Sequence, residues 1–153
     1  MKLDYGSGNQ PLVGFKSSDY TGTPNYDFYI EDYVVQELED NSCDYLHCRN
    51  VLHHIPECDL PLVFGEFKRL LRPTGTLIIS EPRPEHHLQN KILDIIWYRF
   101  LIRNNNIMIP DKYVDYKQYL SDFEIVYTLD EYNNEVLLLQ LRSDDNETYS
   151  TRD

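Results

Sequence analysis

The chain has 153 residues, 41% of them hydrophobic, which is enough for one sizeable core and too little for a second independent domain. Its formal net charge of -12 opposes binding to the phosphate backbone of nucleic acids and docking on an anionic membrane. No apolar run approaches the roughly 20 residues of a membrane-spanning helix, and Met1 leads into a strand-like segment without a signal-peptide pattern, so we expect a cytoplasmic protein that acts on a small molecule.

Seven short apolar or aromatic runs have strand length and are bounded by turn residues. They cover residues 2–5, 14–18, 27–30, 43–48, 75–80, 123–128 and 135–141. Between the fourth and fifth runs, apolar residues recur at helical spacing over residues 59–72, with Asp59 as the expected N-cap and Pro61 in the first turn. A strand-helix-strand unit in one sheet implies a parallel pair with a right-handed crossover. The leading expectation is therefore an α/β layered domain.

The C-terminal half is expected to add helices and a closing hairpin. Residues 87–101 carry a broad apolar stripe, which is typical of a helix that packs on a core, and residues 111–120 favour a short helix. The last two strand-like runs are interpreted as an antiparallel hairpin. The polar, acidic segment 143–153 lacks periodicity. We therefore expect residues 1–142 to form the domain and residues 143–153 to be a flexible tail.

The three cysteines carry little functional signal. Cys43, Cys48 and Cys58 are an odd number, and their spacing matches no zinc ribbon or finger. The favoured interpretation is free, buried thiols, and a redox or metal role is the alternative.

Acidic residues stand where the first three predicted strands end. They are Asp4, Asp19, Glu31 and Asp32. Between the first two of them, Gly6 and Gly8 let the backbone approach a ligand closely. A carboxylate at the position of Asp19 can accept both hydroxyls of a ribose, and one after the third strand can accept from an adenine amino group. A nucleoside ligand is therefore expected outside the carboxyl ends of the strands.

Three segments of the chain resemble class I S-adenosylmethionine-dependent methyltransferases, particularly the compact type-11-like members. Residues 3–11 (LDYGSGNQP) resemble the first motif, residues 40–55 (DNSCDYLHCRNVLHHI) the fourth strand with its turn, and residues 67–82 (FKRLLRPTGTLIISEP) the helix, turn and fifth strand. The likeness covers roughly residues 1–142. It implies a Rossmann-like, mostly parallel seven-stranded sheet of order 3-2-1-4-5-7-6, with strand seven antiparallel.

The resemblance also implies S-adenosyl-L-methionine as the cofactor. The residues that would bind it are Asp4, Tyr5, Gly6, Ser7, Gly8, Asp19, Tyr20, Glu31, Asp32, Arg49 and Asn50. Among them, Asp19 would hold the ribose, Asp32 would lie near adenine, and Arg49 with Asn50 would border the methionine end. Gln10 stands where many members have a third glycine. The first crossover is too short for a full helix and no N-terminal cap helices precede strand one, so we expect a minimal, more open site.

Two histidines follow the fourth strand and are the candidate catalytic residues. His54 and His53 suit a general base because the unperturbed pKa of imidazole is about 6.5. A base is needed only if the acceptor is a hydroxyl or a protonated amine. The alternative, at even weight, is that both only hydrogen-bond the turn before Pro56. A metal site made of His54, Glu81, His86 and His87 is a minor alternative without a recognised spacing, and no metal is expected.

Three functions are compatible with these features. The first is methyl transfer to a small molecule, with a hydroxyl or amine of a sugar or sugar-linked metabolite suggested only by the resemblance of the compact first motif. The second is a catalytically inactive methyltransferase-like domain that serves as a binding or partner module. The third is nucleic-acid methylation. Lys68, Arg69 and Arg72 offer one basic face for it, but in acidic surroundings such a face is typical of an ordinary solvated surface. The oligomeric state stays open.

Overall fold

The computed structural model describes residues 1–20, 25–82, 115–131 and 134–142. Its strands are β1 (Lys2–Tyr5), β2 (Lys16–Tyr20), β3 (Phe28–Glu31), β4 (Val34–Val35), β5 (Cys43–Arg49), β6 (Leu71–Pro82), β7 (Phe123–Glu131) and β8 (Asn134–Leu141). One α-helix, α1 (Leu60–Leu70), and three short 3-10 turns (Leu52–His54, Glu57–Asp59 and Tyr116–Tyr119) complete the described elements. The predicted helix 87–101 and the predicted tail 143–153 lie outside the described residues.

All eight strands form one sheet of order β4-β3-β2-β1-β5-β6-β8-β7. β3, β2, β1, β5 and β6 run parallel, whereas β8 runs antiparallel to both β6 and β7. The expected α/β, Rossmann-like fold class is confirmed, and the seven longer strands have the predicted order. The predicted count of seven is one too few, because β4 adds a two-residue antiparallel strand at the edge.

The extra strand arises from a tight turn after β3. Asp32 and Tyr33 both have positive φ, at 48° and 69°. Positive φ at both central residues is the signature of a two-residue type I′ hairpin loop, whose twist matches that of the strands it joins. The chain therefore folds back on β3 at once, which periodicity does not predict because β4 is only two residues long.

The helix α1 packs its apolar stripe against the sheet. Val63, Phe67 and Leu70 are fully buried, and the Phe67 ring meets the Tyr5 ring of β1 edge-on at 5.0 Å between centroids. Each buried side chain of this size contributes roughly 1.5–3 kcal/mol relative to its exposed state. The packing holds β1 and α1 in one core, and the loop after β1 is therefore built on a rigid strand.

Three local expectations about helices are corrected. Asp59 precedes α1 but makes no capping hydrogen bond, because its carboxylate accepts the Tyr33 hydroxyl at 2.9 Å and a 3-10 turn leads directly into the helix. The helix also ends at Leu70, earlier than predicted, since Leu71 already pairs with Cys43 at the start of β6. In the predicted helix 111–120, the described residues form only a 3-10 turn with Asp115 accepting from the Lys117 N–H.

Candidate active site at the carboxyl ends of the strands

The parallel strands bring the predicted site residues to one edge of the sheet. The turn with Gly6 and Gly8 follows β1, Asp19 and Tyr20 end β2, and Glu31 ends β3. Arg49 ends β5, and His53 and His54 lie in the 3-10 turn that follows it. Glu81 lies at the corresponding end of β6. Carboxyl ends of parallel strands are where open α/β sheets bind ligands.

The turn after β1 is fastened to β2. The Ser7 N–H donates to the Ser18 carbonyl at 2.9 Å, and the Gly8 N–H donates to the Asp19 carboxylate at 2.7 Å. The Ser7 hydroxyl adds a longer bond to the same Ser18 carbonyl. The loop backbone is therefore held in place by its neighbour strand, and these two N–H groups already have acceptors within the protein.

Two glycines of this turn have different reasons to be glycine. Gly6 has φ of 68°, and a Cβ added there would meet a methyl carbon of Val51 at 2.5 Å. Gly8 has φ of 53°, yet a Cβ added there would meet no atom of the described residues within 4 Å. Gly6 thus lets the first turn pack against the segment after β5, and Gly8 borders open space at the edge of the sheet.

Asp4 and Tyr5 lie inside β1, below the turn. The Asp4 carboxylate is buried, with one oxygen 2.7 Å from Nδ1 of His47 and the other accepting the Leu12 N–H at 2.7 Å. Tyr5 is buried, and its hydroxyl donates to the Tyr33 carbonyl. Burial raises the pKa of Tyr5 well above its usual range. Both polar groups have partners within the protein and hold the surrounding loops. His47 lies within β5, as expected.

Asp19 keeps acceptor capacity that the described residues do not use. One carboxylate oxygen accepts the Gly8 N–H and the other accepts the Tyr20 N–H, both at 2.7 Å. A carboxylate offers about four lone-pair sites, so two remain. The side chain is only partly buried. The Tyr20 ring, 42% exposed, packs edge-on against Tyr33, and burial is the largest cause that raises the pKa of Tyr20 to about 12.

The remaining predicted cofactor residues frame the same edge. Glu31 and Asp32 are exposed at the turn between β3 and β4. Arg49 is exposed and its guanidinium donates to the Gln10 carbonyl at 3.1 Å, which links the end of β5 to the loop after β1. Asn50 has φ of 55° and its side-chain oxygen accepts from Asn134 of β8.

The histidine turn is organised by Glu81, whose side chain is 3% exposed. One oxygen of Glu81 accepts the N–H groups of Val51 and Leu52, at 2.7 and 2.9 Å, and the other lies 2.6 Å from Nδ1 of His53. The rings of His53 and His54 are 4.0 Å apart between centroids. Burial and the neighbouring His53 lower the pKa of His54, against the opposing effect of Glu81.

The hydrogen-bonding roles of Glu81 and Tyr33 are not predicted by the sequence. Glu81 was considered only as a metal ligand, although an acid directly after the apolar run 75–80 repeats the pattern that singled out Asp19. The Tyr33 carbonyl accepts from the Tyr5 hydroxyl, and the Tyr33 hydroxyl donates to Asp59. No periodic pattern in the sequence marks this residue. A strand-end acid was therefore a usable signal, whereas the tyrosine contacts depend on tertiary structure.

The surroundings of the cysteines and of the basic face are those of structural residues. All three cysteines are free; Cys43 and Cys48 are buried as expected, but Cys58 is exposed. Burial raises the pKa of Cys48 well above its usual value, which disfavours the reactive thiolate. Each residue of the predicted basic face has an acidic partner. These pairs are Lys68 with Asp122, Arg69 with Glu66 and Asp40, and Arg72 with Asp44.

Metal and membrane features were sought in the described ranges. Within residues 1–20, 25–82, 115–131 and 134–142, no group of three or more metal-ligating side chains comes together. His86 and His87, which the metal alternative requires, lie outside them. Among the same residues, none of the helices is both long and apolar enough to span a bilayer.

A family model described as a methyltransferase domain matches residues 16–134. The match includes Asp19, the histidine turn and Glu81, and it begins after the glycine turn. No curated protein matches the chain in sequence.

Solved structures show the same fold at low identity. The PH0226 protein of Pyrococcus horikoshii OT3 superposes with a TM-score of 0.67 at 14% identity, covering 92% of this chain and 82% of its own. A protein of Sulfolobus solfataricus assigned as a type 11 methyltransferase gives 0.65 at 18% identity, covering 99% and 89%. A SAM-dependent methyltransferase of Methanosarcina mazei gives 0.59 at 15% identity, covering 91% of each chain.

Proposed function

The chain belongs to the methyltransferase domain family, and on that premise we propose that it transfers a methyl group from S-adenosyl-L-methionine to a small-molecule acceptor. The observation that carries the proposal is the partly exposed Asp19 carboxylate beside Gly8, at the carboxyl ends of β1 and β2. The solved methyltransferase of Methanosarcina mazei, described as SAM-dependent, supports the choice of cofactor.

The residues present fit a nucleoside at this edge. Asp19 has unused lone pairs that suit the two hydroxyls of a ribose. A side chain at Gly8 would extend into the open space beside it, and the glycine leaves that space to a ligand. The Tyr20 ring offers an aromatic face next to the ribose position. The donor and acceptor set therefore suits an adenosine better than a metal or a phosphate.

The other expected residues are proposed for the remaining parts of the cofactor. Glu31 and Asp32 are exposed after β3 and suit the adenine amino group. Arg49 and Asn50 leave β5 beside the glycine turn and suit the methionine end. Asp4, Tyr5 and Ser7 would act by holding the loops, since their polar groups already bond within the protein. The hydrogen bonds that give them this supporting role join Asp4 to His47, Tyr5 to Tyr33 and Ser7 to Ser18.

When bound, S-adenosyl-L-methionine supplies a methyl group activated by the positive charge on sulfur. The protein then has to align the acceptor, exclude water and, for a hydroxyl or protonated amine, remove a proton. His54 and His53 lie at the same edge and are the candidates for proton removal. A sugar or sugar-linked metabolite is the proposed acceptor class, supported only by the compact first motif.

We propose the cytoplasm as the location and residues 1–142 as the functional unit, with residues 143–153 dispensable. The three free cysteines suit a reducing compartment. A small acceptor is favoured over nucleic acid because the net charge is -12 and the basic face is paired with acids.

The second candidate function is an inactive methyltransferase-like binding module. It is favoured by one observation, that the Ser7 and Gly8 N–H groups are already bonded to β2 and are not available to a ligand. Against it stands Asp19, whose carboxylate has acceptor positions that no described residue uses.

Calorimetric titration with S-adenosylmethionine and S-adenosylhomocysteine tests the proposal. We expect micromolar binding by the wild type, and about 10- to 100-fold weaker binding by Asp19→Asn, because a hydrogen bond to a charged group contributes roughly 1.5–3 kcal/mol.

Asp27→Asn is the matched control for this titration. Asp27 also accepts a backbone N–H, from Ser17, but it precedes β3 at the opposite edge of the sheet. The affinity of the Asp27→Asn variant for both ligands should equal that of the wild type. Absence of binding at millimolar ligand, by a protein that unfolds cooperatively, would reject the stand-alone enzyme and leave the binding module.

A further inference from the structure

Glu81 and His53 form a carboxylate-imidazole pair beside the glycine turn. We propose that His53, positioned by Glu81, is the group that removes the proton from the acceptor, and that the acceptor is a hydroxyl. This inference rests on the proposed function and selects His53 over His54, between which the sequence did not decide.

The hydrogen bonds of Glu81 determine which nitrogen of His53 carries the proton. Backbone N–H groups can only donate, so one oxygen of Glu81 accepts from Val51 and Leu52. An ionised carboxylate has no proton to donate and only accepts hydrogen bonds. The other oxygen, 2.6 Å from Nδ1 of His53, then also accepts. Nδ1 carries the proton, and Nε2 of the neutral ring is left with a free lone pair.

The free nitrogen of His53 reaches the surface. Nδ1 is the only atom of the ring with a hydrogen bond among the described residues. Within that part of the chain, no buried side-chain nitrogen or oxygen lacks a partner. Nε2 therefore contacts solvent, although the side chain as a whole is only 13% exposed. An acceptor at this edge of the sheet would contact His53 through Nε2, since Nδ1 is held by Glu81.

The position of the pair links it to the proposed cofactor site. The turn that carries His53 begins next to Val51, and Val51 packs directly against Gly6, where an added Cβ would meet it at 2.5 Å. β5 and β1 are neighbouring parallel strands, so the histidine turn and the glycine turn adjoin at one edge of the sheet. An acceptor bound there lies within reach of both turns.

The proton transfer balances with these groups alone. The O–H bond of the acceptor breaks, and its electron pair stays on the oxygen. That oxygen would form the new bond to the methyl carbon as the carbon–sulfur bond of the cofactor breaks, with the electron pair of that bond leaving on the sulfur. The proton forms an N–H bond with the Nε2 lone pair. The resulting imidazolium faces the Glu81 carboxylate, which stabilises the new charge, and the proton then passes to water. A thiol acceptor needs this step less, because its unperturbed pKa is about 8.5.

Nitrogen-15 spectra of the histidine rings test the pair without any activity. In the wild type, Nδ1 of His53 should be protonated and Nε2 unprotonated in the neutral ring. In Glu81→Gln the amide oxygen can still accept from Val51 and Leu52, while the amide nitrogen donates to Nδ1 and reverses the tautomer. A wild-type ring protonated at Nε2 would overturn the proposal.

Turnover with simple probes tests the chemistry. With S-adenosylmethionine, p-cresol and methyl glucoside serve as hydroxyl probes and 2-mercaptoethanol as the thiol probe. His53→Asn keeps an amide nitrogen near the position of Nδ1 but lacks Nε2. We expect it to lower kcat for the hydroxyl probe that the wild type turns over by about 10²- to 10⁴-fold, with KM and thiol methylation changed less than about tenfold.

The outcomes separate this inference from the proposed function. A wild type that does not bind S-adenosylmethionine fails both. A wild type that binds it but methylates neither hydroxyl probe, or that loses more activity in His54→Asn than in His53→Asn, overturns the assignment to His53 alone. Thermal unfolding of each variant identifies loss of fold, and should Glu81→Gln not fold, His53→Asn carries the test.

Discussion

At the scale of single residues, the acids of the proposed site differ in how many of their hydrogen-bond acceptor positions the protein already uses. The Asp19 carboxylate accepts two backbone N–H groups and keeps further acceptor positions. Both oxygens of Glu81 bond to the histidine turn. Asp4 is buried, and its two oxygens bond to His47 and to Leu12. The three strand-end acids therefore have different roles despite the same chemistry.

The two glycines of the first turn give a prediction about stability. Gly6→Ala should lower the free energy of unfolding by about 2–4 kcal/mol, because the positive φ costs roughly 1–2 kcal/mol and the Cβ clashes with Val51. Gly8→Ala carries only the conformational cost, about 1–2 kcal/mol. Urea denaturation of both variants measures the difference. Equal losses would show that Val51 moves aside freely.

At the scale of elements, one helix organises the segment that follows β4. Glu66 of α1 is buried and accepts the Val35 N–H at 3.0 Å, and it also receives two bonds from Arg69. Arg69 in turn donates to the carbonyls of Val35 and Leu38. Hydrogen bonding to Glu66 is the main cause that raises the pKa of Arg69. The edge of the sheet is thereby fixed to α1, although β4 itself has only two residues.

Arg69→Ala should lower the free energy of unfolding by about 2–4 kcal/mol, because it leaves the buried Glu66 carboxylate without its counter-charge. Lys68→Ala is the control on the same helix. Its ion pair with Asp122 is exposed on both sides, and such pairs contribute about 0–1 kcal/mol. Chemical denaturation compares the two variants. A loss in Lys68→Ala as large as in Arg69→Ala would contradict the buried clamp.

The element scale also shows how far sequence patterns reach. Runs of apolar residues predicted all seven longer strands, and the spacing of Val63, Phe67 and Leu70 predicted α1, because burial on one face imposes a period. The boundaries were less accurate. Leu71 belongs to β6 because it pairs with Cys43, which lies far away in sequence. The lack of a cap at Asp59 likewise depends on Tyr33.

At the scale of the whole molecule, buried tyrosines make the free energy of unfolding depend on pH in the alkaline range. Burial raises the pKa of Tyr20 to about 12 and raises that of Tyr5 further, above an unfolded value of 10.0. A raised pKa means that the folded state holds its proton longer than the unfolded state. The contribution is therefore complete below pH 10 and is lost as pH rises from 10 through the folded pKa, which is about 12 for Tyr20.

We expect the free energy of unfolding to fall between pH 10 and pH 12, and to fall less steeply in Tyr5→Phe. At pH 8 this variant should lose only about 1 kcal/mol, for the hydrogen bond to the Tyr33 carbonyl. Denaturation curves at several pH values measure both slopes. Parallel slopes for wild type and variant would show that Tyr5 ionises equally in both states.

The order of the longer strands was implied by the resemblance to class I methyltransferases. The sequence by itself determined the α/β fold class and predicted the sheet edge of the proposed site. It did so because alternation, helical spacing and strand-end acids are local patterns, and parallel strands bring their carboxyl ends together without further information. Only the tertiary structure decided which acids face outward, since Asp4 meets His47 and Glu81 meets His53 across neighbouring strands. Those pairings depend on the register between strands, which composition and spacing do not contain.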